Sequence, residues 1–156
     1  MSTRPDQGPQ RARVLLALDG QSTRPLGLWL LDSPAIQRDL LEGPYIARID
    51  VAGTRVLLQS LGNPFSTRAI QRPDQVGHSY SPISRTTVYV DVPITSTADL
   101  AHVSIRIADL SDVSDRPADT QSVAALLERD TPGVQWLEPA DTADLRKLRD
   151  WREVVD

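Results

Sequence analysis

The chain has 156 residues, of which 40% are hydrophobic, and a formal net charge of −4. This composition predicts one soluble folded domain without membrane insertion, because the longest apolar run, Val14 to Leu18, is far shorter than the ~18 residues of a membrane-spanning helix. The acidic balance argues against a nucleic-acid partner. The absence of cysteine excludes disulfides, thiolate metal sites and a cysteine nucleophile.

The start of the chain is polar and lacks the pattern of a secretory signal peptide, so we expect a cytoplasmic location, with the mature form of an exported protein as the alternative. Residues 1–13 offer little apolar surface and are expected to form a disordered tail. Lys147 is the single lysine among 17 basic residues. Such an arginine bias is typical of a GC-rich bacterial genome.

Six short segments have the pattern of β-strands. Two are apolar runs, and most of the others alternate apolar and polar residues, which is typical of antiparallel strands with one dry and one wet face. Gly53 predicts a hairpin between the third and fourth segments. We expect Val90 and Ile105 to be core residues of neighbouring antiparallel strands. The six segments are Val14–Leu18, Leu26–Leu31, Tyr45–Val51, Arg55–Leu61, Thr86–Val92 and His102–Ala108.

A short inserted helix is predicted between the second and third strands. Ser33 provides an N-cap, Pro34 fits the first helical position, and Gly43 provides a left-handed stop. Its buried face would consist of Ile36, Leu40 and Leu41.

The chain changes character after Leu110. A polar linker over 111–120 precedes a short helix over 121–129 and an extended piece over 134–137. Asp141 or Thr142 then caps a predicted last helix, with an apolar stripe formed by Leu145, Leu148, Trp151 or Arg152, and Val155.

These elements predict a mainly β fold. Residues 14–110 would form an antiparallel β-sandwich, immunoglobulin-like or fibronectin-like by analogy, with the short inserted helix. Residues 111–156 would form a linker and a helical C-terminal extension.

No motif in the chain predicts catalysis. Gly77 to Ser81 resembles the Gly-x-Ser-x-Gly nucleophile elbow of α/β-hydrolases, but Ser81 replaces the second glycine and Pro82 follows where a helix should start. The two histidines, His78 and His102, have no metal-ligand spacing, and no two glycines fall at Gly-x-Gly spacing. We therefore expect no catalytic residue, no cofactor and no metal.

Two regions carry residue types that are common at recognition surfaces, and we predict that they form a partner-binding surface with Trp151 as its anchor. One is the long aperiodic stretch 62–85, and the other is the C-terminal tail. The predicted partner-binding residues are Phe65, Arg68, Arg72, His78, Tyr80, Arg149, Trp151 and Arg152.

The leading interpretation is a non-catalytic adaptor or accessory subunit. Its partner would be another protein subunit or a second copy of the chain. One alternative is a small ligand-binding or enzymatic sandwich with its site in the 62–85 loop. Another is a carbohydrate-binding module that stacks sugars on exposed aromatic rings.

Overall fold

The computed structural model describes residues 9–19, 21–68, 80–82, 85–129, 131–142, 144–148 and 151–153. The chain is mainly β, as predicted, and each of the six predicted strands is present. The strands are β1 (Arg11–Leu18), β2 (Thr23–Leu31), β3 (Tyr45–Val51), β4 (Thr54–Gly62), β5 (Ser66–Arg68), β6 (Tyr80–Pro82), β7 (Thr86–Pro93), β8 (Val103–Asp109), β9 (Gln135–Trp136) and β10 (Trp151–Glu153). The helices are α1 (Thr120–Glu128) and two 3-10 helices, Thr97–His102 and Leu145–Lys147.

The first sheet has the strand order β10-β2-β1-β7. β1 pairs antiparallel with both β2 and β7, and β10 adds in parallel along the other edge of β2. Strict alternation buries every second side chain of β1 on the inner face: Ala12, Val14, Leu16 and Leu18. The opposite face of β1 is only partly covered.

The second sheet has the order β4-β3-β8-β9, and its pairs are antiparallel. The predicted hairpin joins β3 to β4, since Val51 pairs with Thr54. Ala52 and Gly53 between them have φ values of 54° and 82°. Positive φ at both loop residues is typical of the tight turns that match strand twist. The remaining strands, β5 and β6, form a separate antiparallel ribbon.

The two sheets share one hydrophobic core, to which β1, β2, β3, β4, β7 and β8 all contribute buried side chains. A second cluster packs α1 against the other face of the second sheet, with Ile46, Leu58 and Ala108 among its buried residues. Val90 and Ile105 are both fully buried, as predicted. Their placement on neighbouring strands is wrong, because Val90 lies in the first sheet and Ile105 in the second.

Side-chain amides of glutamine complete two strand edges. Gln59 donates to the Tyr89 carbonyl at 2.8 Å and accepts from the Asp91 N–H at 2.9 Å, which links β4 to the edge of β7. Gln37 does the same for Leu58 of β4, at 2.9 and 2.7 Å. An amide that both donates and accepts stands in for a neighbouring strand, and so satisfies edge groups that invite pairing with other chains.

The predicted inserted helix is wrong, because residues 32–44 have no helical turn. Their backbone groups find partners elsewhere: the Leu41 N–H donates to the Ala118 carbonyl and the Asp39 carbonyl accepts from Thr120 N–H. Only Leu41 of the predicted apolar face is buried. Tertiary hydrogen bonds therefore replace the helical ones that the local signals favoured.

The predicted last helix is also wrong. A single 3-10 turn at Leu145–Lys147 is capped by Asp144, and the chain then forms β10 beside β2. The Thr142 hydroxyl donates to the Val103 carbonyl instead of capping a helix. The unpaired edge of β2 offers backbone partners that a short amphipathic helix cannot match. In the described part of the chain, no helix is long and apolar enough to cross a membrane.

Two segments that were predicted to be irregular contain strands in the structure. β1 begins at Arg11, within the predicted tail, because Ala12 continues the buried alternation and Arg11 pairs with Asp91. Within the aperiodic stretch 62–85, β5 and β6 pair with each other. Each of these strands has three residues, which is too short for a period to show in the sequence.

The left-handed backbone predicted at Gly43 is confirmed, with φ 82°, but it does not end a helix. It brings the chain against β4, where a β-carbon on Gly43 would overlap the backbone of Gly62. Gly53 has the same φ, and a β-carbon there would meet nothing within 4 Å.

These two glycines predict different costs of substitution by alanine. Gly53→Ala should cost roughly 1 kcal/mol from the left-handed backbone alone. Gly43→Ala should cost at least ~2 kcal/mol more, because the clash adds to the same strain. Urea unfolding of both variants measures the difference, and equal costs would contradict the close packing of Gly43 on Gly62.

Gln59→Ala should lower the free energy of unfolding by about 1–2 kcal/mol, because it leaves two backbone groups of β7 without their partner. Gln121→Ala, at an exposed position of α1, is the matched control and should change little. A loss of the same size in both variants would show that Gln59 does not join the sheets.

Candidate functional site

The outer face of the first sheet carries an unusual group of side chains for a surface that meets water. Alternation turns Arg11, Arg13 and Leu15 of β1 away from the core. In register, Arg13 faces Trp29 of β2 on one side and Asp91 of β7 on the other. Tyr89 of β7 pairs with Leu15 on the same face. Trp29, Arg13 and Tyr89 thus come from three adjacent strands.

Trp29 and Tyr89 meet across β1. Their ring centroids are 5.8 Å apart, and the ring planes are inclined by 64°, an edge-to-face contact. Leu15 lies between their strands, opposite Gly27, which adds no side chain to this face. Tyr89 is 52% exposed. We call Arg13, Leu15, Trp29 and Tyr89 the aromatic face.

Asp91 holds the two arginines of β1 in place. One carboxylate oxygen accepts from Arg11 at 2.9 Å and the other from Arg13 Nε at 3.0 Å. The hydrogen bond to Asp91 raises the pKa of Arg13 above its ordinary value. The Arg13 guanidinium carbon lies 6.0 Å from the centre of the Tyr89 ring, at the outer limit of a cation–π contact.

A cleft of about 390 Å³ opens beside the aromatic face, where β1, β4 and the segment before β3 come together. Its charged lining residues are Arg11, Arg13, Arg38 and Asp91, and we call it the arginine cleft. The rest of its lining is Ile36, Leu41, Leu57, Leu58, Gln59 and Ser60. Arg13 belongs to both surfaces, so the cleft and the aromatic face are continuous.

The predicted partner-binding residues lie in different places. Phe65 packs edge-to-face on Tyr45 of its own domain, with ring centroids 5.3 Å apart, and against the shared core. Arg68 and Tyr80 face each other in the register of β5 and β6. Arg72, His78 and Arg149 lie outside the described residues.

The two described C-terminal members of that set, Trp151 and Arg152, lie on β10, next to the strand that carries Trp29. β10 places Trp151 in register with Leu28, and Arg152 in register with Trp29. A helix over this segment, as predicted from the sequence, has no backbone pairing with β2.

Sequence reasoning missed most of the aromatic face. The alternation of β7 predicts that Tyr89 faces outward, but the predicted disordered tail includes both arginines of β1, and Trp29 lies in an apolar run without a clear period. If the predicted first strand began at Arg11 instead of Val14, its alternation would place Arg11 and Arg13 on the outer face. Their convergence on Asp91 requires the strand register.

The described residues contain no group of three or more histidine, aspartate or glutamate side chains that could hold a metal ion. His102 ends the 3-10 helix at Thr97–His102 and is exposed. The elbow-like segment 77–81 is described only from Tyr80 onward.

A double-mutant cycle on Arg13→Ala and Asp91→Ala should give a coupling of about 0.5–1 kcal/mol, since both side chains are partly exposed. The coupling should shrink between 0.05 and 0.5 M salt, because water and ions screen the pair. Unfolding by urea at both salt concentrations measures it. A coupling that does not change with salt would contradict an electrostatic role for Asp91.

Compared with protein-family models, with curated proteins and with solved structures, the chain matches none. Its function is therefore inferred from the chemistry of its own residues.

Proposed function

We propose that this protein is a non-catalytic accessory or adaptor module that binds another protein subunit through the aromatic face. The observation that carries the proposal is the contact of Trp29, Tyr89 and Arg13 on a sheet face that is open to solvent. Tryptophan, tyrosine and arginine are the residue types that dominate binding energy at protein interfaces.

Both the composition and the geometry of the aromatic face favour binding. Tyr89 leaves half of its surface exposed, although the ring is fixed against Trp29 and near Arg13. Side chains that are already held in place lose little rotamer freedom when a partner covers them. A strand scaffold adds rigidity, because β1 is paired on both sides.

The architecture that we propose is a two-sheet sandwich of the immunoglobulin or fibronectin kind. Its support is the core shared by both sheets, and the order β4-β3-β8-β9, which corresponds to the C′CFG sheet of such domains. The first sheet departs from that pattern. In this sheet the first strand, β1, lies between β2 and β7. In an immunoglobulin domain, by contrast, the second strand lies between the first and the fifth.

The predicted C-terminal surface belongs to the same proposal. Because Arg152 lies in register with Trp29, β10 extends the sheet whose outer face carries the aromatic residues. A partner that covers the aromatic face would also reach this edge. The contribution of the 62–85 loop, including Arg68 and Tyr80, remains a prediction.

The carbohydrate-binding alternative has less support from the geometry. Sugar rings stack on flat aromatic platforms, and the planes of Trp29 and Tyr89 are inclined by 64°. A ring pair at this angle presents one face and one edge, which suits irregular protein surfaces better than a pyranose.

The test uses the purified chain as bait against extract of its native organism, with bound proteins identified by mass spectrometry. Tyr89→Ala should weaken the identified complex by about 2 kcal/mol or more, and Tyr89→Phe, which keeps the ring, should bind nearly as well as wild type. Sedimentation velocity of the same variants tests self-association through this face. Trp151→Ala, measured alongside, tests the predicted C-terminal anchor.

Unfolding curves provide the control, because Tyr89 is half exposed and its removal should change stability by less than ~1 kcal/mol. Wild-type affinity in Tyr89→Ala would contradict the proposal. So would the absence of both a partner and self-association in the wild-type chain.

A further inference from the structure

We infer that the arginine cleft binds an acidic segment of the partner, with a carboxylate at the arginines and a neighbouring aliphatic side chain on Ile36. The inference rests on the proposed function and adds the chemistry of the partner. It follows from the charge, the hydrogen bonding and the apolar lining of the cleft.

The arginine cleft carries a net positive charge, although the chain as a whole has a net negative charge. Among the described residues of its lining, Arg11, Arg13 and Arg38 are accompanied by one acidic residue, Asp91, whereas the chain as a whole has a net charge of −4. Asp91 already receives hydrogen bonds from Arg11 and Arg13. The described lining of the cleft therefore has two more positive charges than negative ones, which favours an anionic group on the partner.

One buried hydrogen-bond donor of the cleft lining has no acceptor in the structure. The Nε of Arg11 is buried and makes no hydrogen bond in the structure. Arg48 and Arg106 each have a buried Nε without a hydrogen bond as well, so this atom alone does not indicate a ligand, and the excess positive charge of the cleft carries the inference. A carboxylate is the group that arginine binds with two parallel hydrogen bonds.

The apolar part of the cleft argues for a polypeptide rather than a small inorganic anion. Ile36 is 77% exposed, and nearby Leu40 is 61% exposed. Neither exposure results from a loose segment, because Gln37 is bonded to Leu58 and the Arg38 carbonyl accepts from the Thr120 hydroxyl. Of these two side chains, Ile36 lines the cleft and is held in solvent there with the three arginines, whereas Leu40 lies outside the cleft lining.

Size and position point to a short segment of the partner. At about 390 Å³ the cleft is near the small end of ligand pockets, ~300–1,000 Å³, and accommodates a few side chains rather than a folded surface. Arg13 joins it to the aromatic face. One partner can therefore cover the rings and insert an acidic segment next to them.

The test is a selection of random decapeptides, displayed on phage, against the full-length protein. Selected peptides should be enriched in aspartate or glutamate next to leucine, isoleucine or phenylalanine. Their affinity, measured by fluorescence anisotropy, should fall when salt is raised from 0.05 to 0.5 M.

Two charge-reversal variants locate the binding. Arg38→Glu should weaken the selected peptides at least ten-fold, whereas Arg116→Glu, an equal change at an exposed arginine outside the cleft lining, should not. Both positions are exposed, so both variants should unfold at the same urea concentration as wild type. Peptides without acidic enrichment, no selected peptide, or equal binding to Arg38→Glu would overturn the inference.

The same variants separate this inference from the proposed function. A native partner that depends on Tyr89 but binds Arg38→Glu normally would support the aromatic face and overturn the cleft. Acidic peptides that depend on Arg38, with no protein dependent on Tyr89, would support the cleft and contradict the aromatic face as the main interface.

Discussion

The two-residue alternation of β1 is the constraint on which both the core and the candidate surface depend. One face of this strand inserts Ala12, Val14, Leu16 and Leu18 into the core that the two sheets share. Because side chains in a strand alternate strictly, the residues between them must meet the other side of the sheet. Those residues include Arg11, Arg13 and Leu15. A one-residue slip of β1 would bury two arginines and expose the core, so the hydrophobic core also fixes the register of the surface.

Edge chemistry determines how the two sheets meet. The Gln59 amide bridges β4 to the edge of β7, and the Gln37 amide completes the edge of β4. The same two residues hold the walls of the arginine cleft: Gln59 lines it, and Gln37 fixes the segment that carries Ile36 and Arg38. Gly43 allows that segment to approach Gly62. The cleft therefore results from the way in which the sheet edges are closed.

The aromatic face and the arginine cleft differ in the kind of energy they offer a partner. Trp29 and Tyr89 provide apolar area and ring contacts, which contribute to affinity in proportion to the water they exclude. The arginines provide charge and oriented donors, which contribute more to specificity and to the rate of association. Asp91 orients Arg11 and Arg13 without neutralising both of them. A partner with an apolar surface next to an acidic segment would use both.

The sequence by itself determined the six main strands, the β3–β4 hairpin, α1 and the outward position of Tyr89, because alternation, turn glycines and apolar spacing are local signals. Tertiary structure decided the rest. Ser33, Pro34 and Gly43 have the local chemistry of a helix, yet the Leu41 N–H finds its partner at Ala118, and the segment has no helical turn. The last segment has a helical stripe, yet the open edge of β2 recruits Trp151–Glu153 as a strand. The meeting of Arg11, Arg13 and Arg38 required strand register and sheet closure, since hydrogen bonds between residues distant in sequence leave no local pattern.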